Sequence, residues 1–301
     1  MQNAWRVVDC TGLEGRITYV RGRISIHPKD ADLPTEVPLA QTAVILLGLK
    51  ASCSTAALYE LAKYGVSVML CDWRSVPISA MHSWSETHTY VTARHIAQAQ
   101  MSLPRKKNAW ARIVQSKIRG QAACLDSQHI DGGGLLRGIA SQVRSGDPTN
   151  AEGHAAREYW KRVFPCDCDF RREPGSGLGR NAQLDYAYMI LRGFAVKAVI
   201  SAGLSPVFGV NHHGRGNYYC LADDLIEVYR PAIDLAVSKL DEDDELSDRE
   251  VKHYLVEAVN QQFNDIGLTI PSSLNDFAQQ FGLYCEKRID HLEVPLFEGK
   301  S

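Results

Sequence analysis

Three short stretches of the 301-residue chain carry side chains suited to gripping a hard cation, and each also has a plainer explanation. In Asn150-Ala151-Glu152-Gly153-His154, Glu152 falls in the first turn of a helix whose apolar stripe is Ala155, Tyr159, Trp160 and Val163. An acid there also suits the positive end of a helix dipole, with no ligand needed. In Leu204 through Gly214, apolar residues lead into His212 and His213, which packing does not require. A buried, hydrogen-bonded histidine is the alternative. In Leu221 through Pro231, Asp224 and Glu227 stand at i and i+3. That spacing puts both carboxylates on one helix face, about 5–6 Å apart at Cβ. Like charges so placed repel, and a cation, solvent or Arg230 must relieve them.

Carboxylate oxygens with one imidazole suit Mn²⁺ or Mg²⁺, manganese being better matched to the nitrogen. Such an ion polarises a phosphodiester oxygen, stabilises a leaving oxyanion and activates a water or hydroxyl nucleophile. Phosphoryl transfer is the chemistry this set serves best. A facial iron site of two histidines and one carboxylate is a lesser alternative, since adjacent histidines rarely reach one centre. Hydrolysis of small phosphate esters is disfavoured because no Gly-rich phosphate cradle appears.

The net charge of −2 hides an uneven distribution. Residues 241–250 (DEDDELSDRE) carry −6, which leaves +4 on the rest. Residues 101–120 hold Arg105, Lys106, Lys107, Arg112, Lys117 and Arg119 and no acid. This segment suits a DNA backbone, or else forms a solvated helix face. The eight cysteines show no C-x-x-C spacing and read as reduced thiols, with Cys166 and Cys168 at most half a zinc site. No apolar run approaches the roughly 20 residues of a membrane span. Met1 to Arg6 shows no basic-then-apolar leader, so no membrane association and a cytoplasmic location are expected.

These residues need a scaffold, and the chain changes character near residues 82–90. Before it, short β-type runs occur at 6–8, 16–20, 23–26, 44–47 and 66–70, with Arg21-Gly22 as a tight hairpin loop. One helix interrupts them, capped by Ser54 and stopped by Gly65. After the change, helical periodicity predicts segments at 90–102, 105–129, 133–145, 149–164, 180–202, 222–239, 248–265 and 273–289. Asp147-Pro148 presets a helix start, Ser247-x-x-Glu250 reads as a capping box, and Gly203 with Pro206 closes the long central helix. The expected class is α+β, with a small mainly β domain at 1–86 and a larger mainly α-helical catalytic domain at 87–301.

The ordered motifs resemble the CRISPR-associated integrase, the universal endonuclease of CRISPR adaptation, in its type II-like form. They comprise Glu152-Gly153 before Tyr159-Trp160, and Asn181, Leu184, Tyr186, Tyr188, Leu191 and Gly193 along one helix. Gly203-Leu204-Ser205-Pro206, Gly209-Val210-Asn211-His212 and Asp224 through Pro231 follow. Trp5-Arg6, Glu36 through Leu39 and Cys71-Asp72-Trp73 ahead of Pro77 resemble that family's N-terminal domain. The resemblance implies that Glu152, His212 and Glu227 are catalytic metal ligands, with Asp224, at the acidic position one helical turn earlier, joining them in the metal set. It also implies a homodimer joined through β domains, and a small ferredoxin-fold CRISPR-associated partner protein. Short foreign double-stranded DNA would enter a CRISPR repeat when its 3′-hydroxyl attacks a phosphodiester, while the basic segment holds DNA backbone. Asp185 departs from the family's usual asparagine, Val228 from a frequent proline and Asn211 from a frequent histidine. A non-catalytic DNA-binding scaffold, with Glu152, His212 and Glu227 as a metal-free polar network, is the competing expectation.

Overall fold

The computed structural model describes residues 6–73, 77–83, 90–167, 169–241, 244–263 and 267–299. Trp5, Cys168 and most of the expected 82–90 boundary lie outside the described residues. The chain divides into two compact units, Met1–His88 and Thr89–Ser301, and the class is α+β.

The first unit contains β1 (Arg6–Cys10), β2 (Gly15–Val20), β3 (Arg23–Pro28), β4 (Thr35–Pro38), β5 (Thr42–Leu47), β6 (Ala51–Cys53), α1 (Thr55–Lys63), β7 (Ser67–Cys71) and β8 (Pro77–Met81). They form two four-stranded sheets of order β1-β5-β7-β8 and β4-β3-β2-β6. Arg21 and Gly22 both take positive φ, 44° and 80°, which is the two-residue turn whose twist matches β2 and β3. Ser54 caps α1 by accepting from the Ala57 amide, and Gly65 ends it at φ 66°. Ile17, Ile24, Val37, Ile45, Leu47 and Val68 from both sheets, with Leu61 of α1, share one buried cluster. Sequence patterning missed β4, β6 and β8; three to five residues around prolines or small polar side chains show too little alternation to read.

The second unit contains α2 (Val91–Ala99), α3 (Leu103–Ser127), α4 (Gly133–Gln142), α5 (Ala151–Trp160), α6 (Gly179–Ser201), α7 (Cys220–Ile226), α8 (Arg230–Ser238), α9 (Arg249–Val259) and α10 (Ile270–Cys285). Helix α6 is apolar around most of its circumference, so it runs through the core with α7, α8, α9 and α10 against it. Gly203, at φ 66°, ends it by donating to Ile200, and the Leu204 amide reaches back to Val199.

Two expectations fail here. The single helix at 222–239 is two helices, because Pro231 supplies no amide and its ring would clash with the carbonyl of residue 227. The capping box is also absent: Asp248 caps α9 by accepting from the Glu250 amide, while Ser247 bonds Glu245. A carboxylate at the cap position outcompetes the neighbouring hydroxyl for the orphan amides. Asp185, the unusual acid of α6, is held by Arg172 and by the Gly175 amide, and Val228 is fully buried.

Candidate active site

Glu152 is fixed from its backbone. Asp147 bends back to accept from the Ala151 and Glu152 amides at 2.8 and 3.0 Å, and Asn150, left-handed at φ 52°, accepts from Gly153. These acceptors satisfy the free amides at the start of α5 and aim its first turn. Asp147 therefore does preset the helix, although Asn150 is the cap residue.

His212 sits on the turn before α7, and Asp224 organises that turn. Its fully buried carboxylate accepts from the Val210, Asn211 and His212 amides and from His212 Nδ1 at 2.7 Å. Gly209 is required at the head of the turn, since a Cβ would fall 2.2 Å from the His212 carbonyl oxygen. The bond to Asp224, opposed by partial burial, raises the His212 pKa. With Nδ1 donating to the carboxylate, Nε2 carries the lone pair available to a cation. His213 is exposed and folds onto the Asn211 carbonyl, so of the two histidines it is His212 that faces the site. The His212 ring also meets Trp110 edge-on, with centroids 6.1 Å apart.

Glu227 occupies the break between α7 and α8, so it and Asp224 take different partners. Glu227 Oε1 lies 3.1 Å from Arg230 Nε, and Oε2 lies 2.6 Å from Lys117 Nζ. The same ammonium lies 2.6 Å from Glu152 Oε1. Lys117 thus bridges both carboxylates, with 14% of its side chain exposed. Burial alone would raise the Glu227 pKa, yet Arg230 and Lys117 override it and hold the acid down at about 2. Burial likewise opposes the charge on Lys117, but Glu227 and Glu152 override it and leave the lysine raised. The repulsion expected between Asp224 and Glu227 is therefore answered by amides on one acid and by two cationic side chains on the other.

Behind this cluster, Asp234 is buried and accepts from Tyr159 at 3.0 Å and from Tyr188. Burial, offset in part by those hydroxyls, raises its pKa to about 6. Arg230 stacks 4.5 Å from the centroid of Tyr188.

The six basic residues expected on DNA separate into four groups. Lys117 belongs to the acidic cluster. Arg105 is a structural clamp: it donates to the Tyr284 and Ile289 carbonyls at 2.8 and 2.7 Å and stacks on Tyr284. Lys107 and Arg119 are exposed and Lys106 is half-exposed, so these three can meet a phosphate directly. Arg112 leans on His291, and both line a groove of about 400 Å³ with Arg119 and Gln115. Sequence patterning misplaced Lys117 and Arg105 because a cation count ignores which helix face each occupies. The overlooked signal for Lys117 was its place among the buried Ile113, Val114, Ile118 and Gln121 of α3. Trp110, two turns earlier, was missed for the same reason.

Among the described residues, no three His, Cys, Asp or Glu side chains close on a point that could hold a metal as they stand. The donor set nevertheless fits one. The Lys117 ammonium, a stand-in cation, already lies between the two acids, and the His212 ring is within electrostatic reach of Glu227 with its Nδ1 held by Asp224. Glu227 Oε2 is buried and makes only the charge contact there, with no aligned hydrogen bond. Of the seven described cysteines five are buried, and Cys166 is exposed. No helix among the described residues is long and apolar enough to cross a membrane.

Known proteins share both sequence and fold with this chain. The CRISPR-associated endonuclease Cas1 of Neisseria meningitidis is 33% identical over 233 residues, covering 76% of this chain and 75% of its own. A casposase bound to its integration product superposes with a TM-score of 0.78 at 20% identity, over 98% of this chain and 93% of that one. A chain of a Cas6-RT-Cas1–Cas2 complex gives 0.75 at 19% identity, over 100% of this chain and 37% of that longer one. The family model for CRISPR associated protein Cas1 matches residues 11–260, a span that contains Glu152, Lys117, His212 and Glu227, and the chain belongs to that family.

Proposed function

We propose that this protein is a metal-dependent DNA endonuclease and integrase that inserts short foreign DNA into a CRISPR repeat array. The observation that carries this reading is the convergence of Glu152 and Glu227 on one buried cationic point, with His212 oriented beside them by Asp224. Family membership and a relative described as an endonuclease support the reaction class. The casposase fold likeness adds an architecture that elsewhere holds an integration product.

In this reading Glu152, His212 and Glu227 hold Mn²⁺ or Mg²⁺, whereas Asp224, expected in the metal set, has both oxygens taken by three amides and His212 Nδ1 and positions His212 instead. The ion, when bound, supplies charge for the phosphate oxygens and for the attacking and leaving oxygens. The 3′-hydroxyl oxygen of the incoming strand bonds to a repeat phosphorus as the repeat's own P–O bond breaks, and the hydroxyl proton ends on the departing oxygen. One phosphodiester replaces another, so no external energy source is needed. Asp224 keeps the His212 tautomer fixed, and Arg230 and Lys117 limit repulsion between the site and the anionic substrate. Lys106, Lys107, Arg112 and Arg119 give sequence-independent backbone affinity. The first unit serves as the dimerisation domain, a small ferredoxin-fold protein completes the integration complex, and the likeness to a chain of a Cas1–Cas2 assembly supports such a partner.

One observation favours a second reading. The Lys117 bridge completes a metal-free network, as a DNA-binding scaffold would have. Strand transfer into supercoiled repeat-bearing DNA, with and without Mn²⁺, separates the two. The enzyme reading expects Mn²⁺-dependent products, lost in Glu152→Ala and His212→Ala while DNA binding persists. Products that survive both substitutions reject the catalytic assignment, and absence of products in the unaltered protein with partner and metal supports the scaffold.

A further inference from the structure

We propose that Lys117 is an internal competitor for the metal: its ammonium holds the Glu152–Glu227 pair together without the ion and must leave for the ion to bind. The inference rests on the metal reading above and concerns what occupies that site before the ion arrives.

Three observations carry it. The ammonium is 2.6 Å from an oxygen of each glutamate, so a cation held by both acids would claim the same space. Lys117 rises from α3, whose neighbouring Val114 and Ile118 are fully buried, so the helix itself cannot shift to withdraw it. The four-carbon stem can swing, because rotation about its side-chain bonds is the one freedom left. Finally, Glu227 is 5% exposed and would otherwise be an acid buried beside another acid, a costly arrangement without a compensating charge. Arg230 answers one of its oxygens and Lys117 the other.

A tethered cation and a free one competing for the same oxygens are coupled by their mutual exclusion. The metal-free site is kept folded, and metal affinity is lowered. Once displaced, the lysine is a positive charge beside the site, placed to face an arriving phosphate. The arrangement therefore raises the concentration of divalent ion at which the site fills.

The test measures Mn²⁺ binding to the full chain by electron paramagnetic resonance and calorimetry, without DNA, alongside thermal melting. Lys117→Met keeps the stem length and removes the charge. The expected result is Mn²⁺ binding tighter by about tenfold or more, within the usual range of coupling between two ligands. Its metal-free form should melt lower than the unaltered protein and recover more on adding Mn²⁺. Glu152→Gln in the same assay should abolish specific binding. Equal affinity in the unaltered protein and Lys117→Met, with loss in Glu152→Gln, overturns the proposal and leaves the metal reading standing. No specific Mn²⁺ binding in any form overturns both. Should Lys117→Met fail to fold, a crystal structure of the unaltered protein with Mn²⁺ decides. Lys117 Nζ is expected beyond hydrogen-bond distance of at least one glutamate, and a retained bridge to both beside the ion refutes the idea.

Discussion

Replacing Asp224 by asparagine tests the logic of the site most sharply, because a single buried carboxylate serves four donors there. Its two oxygens accept from three consecutive amides and from His212 Nδ1. Asparagine is nearly isosteric but offers one oxygen and presents an NH₂ where the other stood. Two of the four donors then face a donor. A buried donor left without its acceptor costs about 1–3 kcal/mol. The backbone of residues 209–212 is partly exposed and water can reach it, so the lower end applies, about 2 kcal/mol in all. For a unit of this size that corresponds to a fall in melting temperature of about 4–8 °C. The same change releases the His212 ring, whose raised pKa comes first from the Asp224 bond, and an NMR titration should find that pKa lowered. Loss of an outer partner to a ligating imidazole lowers metal affinity about 10–100-fold, readable by calorimetry with Mn²⁺. An Asp224→Asn protein that melts within about a degree of the parent and binds Mn²⁺ equally well would refute the argument that this carboxylate holds the turn and the tautomer.

Three further outcomes follow from the same geometry. Lys107→Ala and Arg119→Ala should each weaken DNA binding uniformly across sequences and reduce the salt slope by about one, as measured by titration at several ionic strengths. Arg105→Ala should instead lower stability by about 2 kcal/mol, since it strands two partly buried carbonyls and a stacked ring; denaturant melts and DNA titration together distinguish the roles. Asp234, with its pKa raised to about 6, binds its proton more tightly folded than unfolded. Its contribution is therefore fully present below the unfolded value and is lost as pH rises through about 6. Asp234→Asn should flatten the decline in stability between pH 5 and 7.5, a difference of about 1.4 kcal/mol in urea melts; an unchanged slope would remove Asp234 as its source.

The sequence by itself determined the kinds of element and the chemistry within reach. Alternation before residue 82 and helical periodicity after it reflect side chains that must face a core, and that need is written locally in every turn and strand. The Arg21-Gly22 turn, the Ser54 cap and the Gly203 stop were equally legible, because each depends on one or two residues and their neighbours. The residue types marked Glu152, His212 and Glu227 as candidates beside plainer explanations, and the order of the family-like motifs singled them out as ligands. Tertiary structure decided how they are arranged. The break ahead of Pro231 was a local signal left unread, whereas tertiary contacts assigned Asp224 to the His212 turn and Glu227 to Lys117 and left His213 exposed on the Asn211 carbonyl. They also moved Lys117 from a presumed DNA contact to the bridge between two acids, and Arg105 to a clamp on α10 and the segment after it. The physical reason is that a charge's role depends on what lies within a few ångströms of it. Residues 117, 152 and 227 become neighbours only when the helices pack, and linear spacing carries no record of that contact.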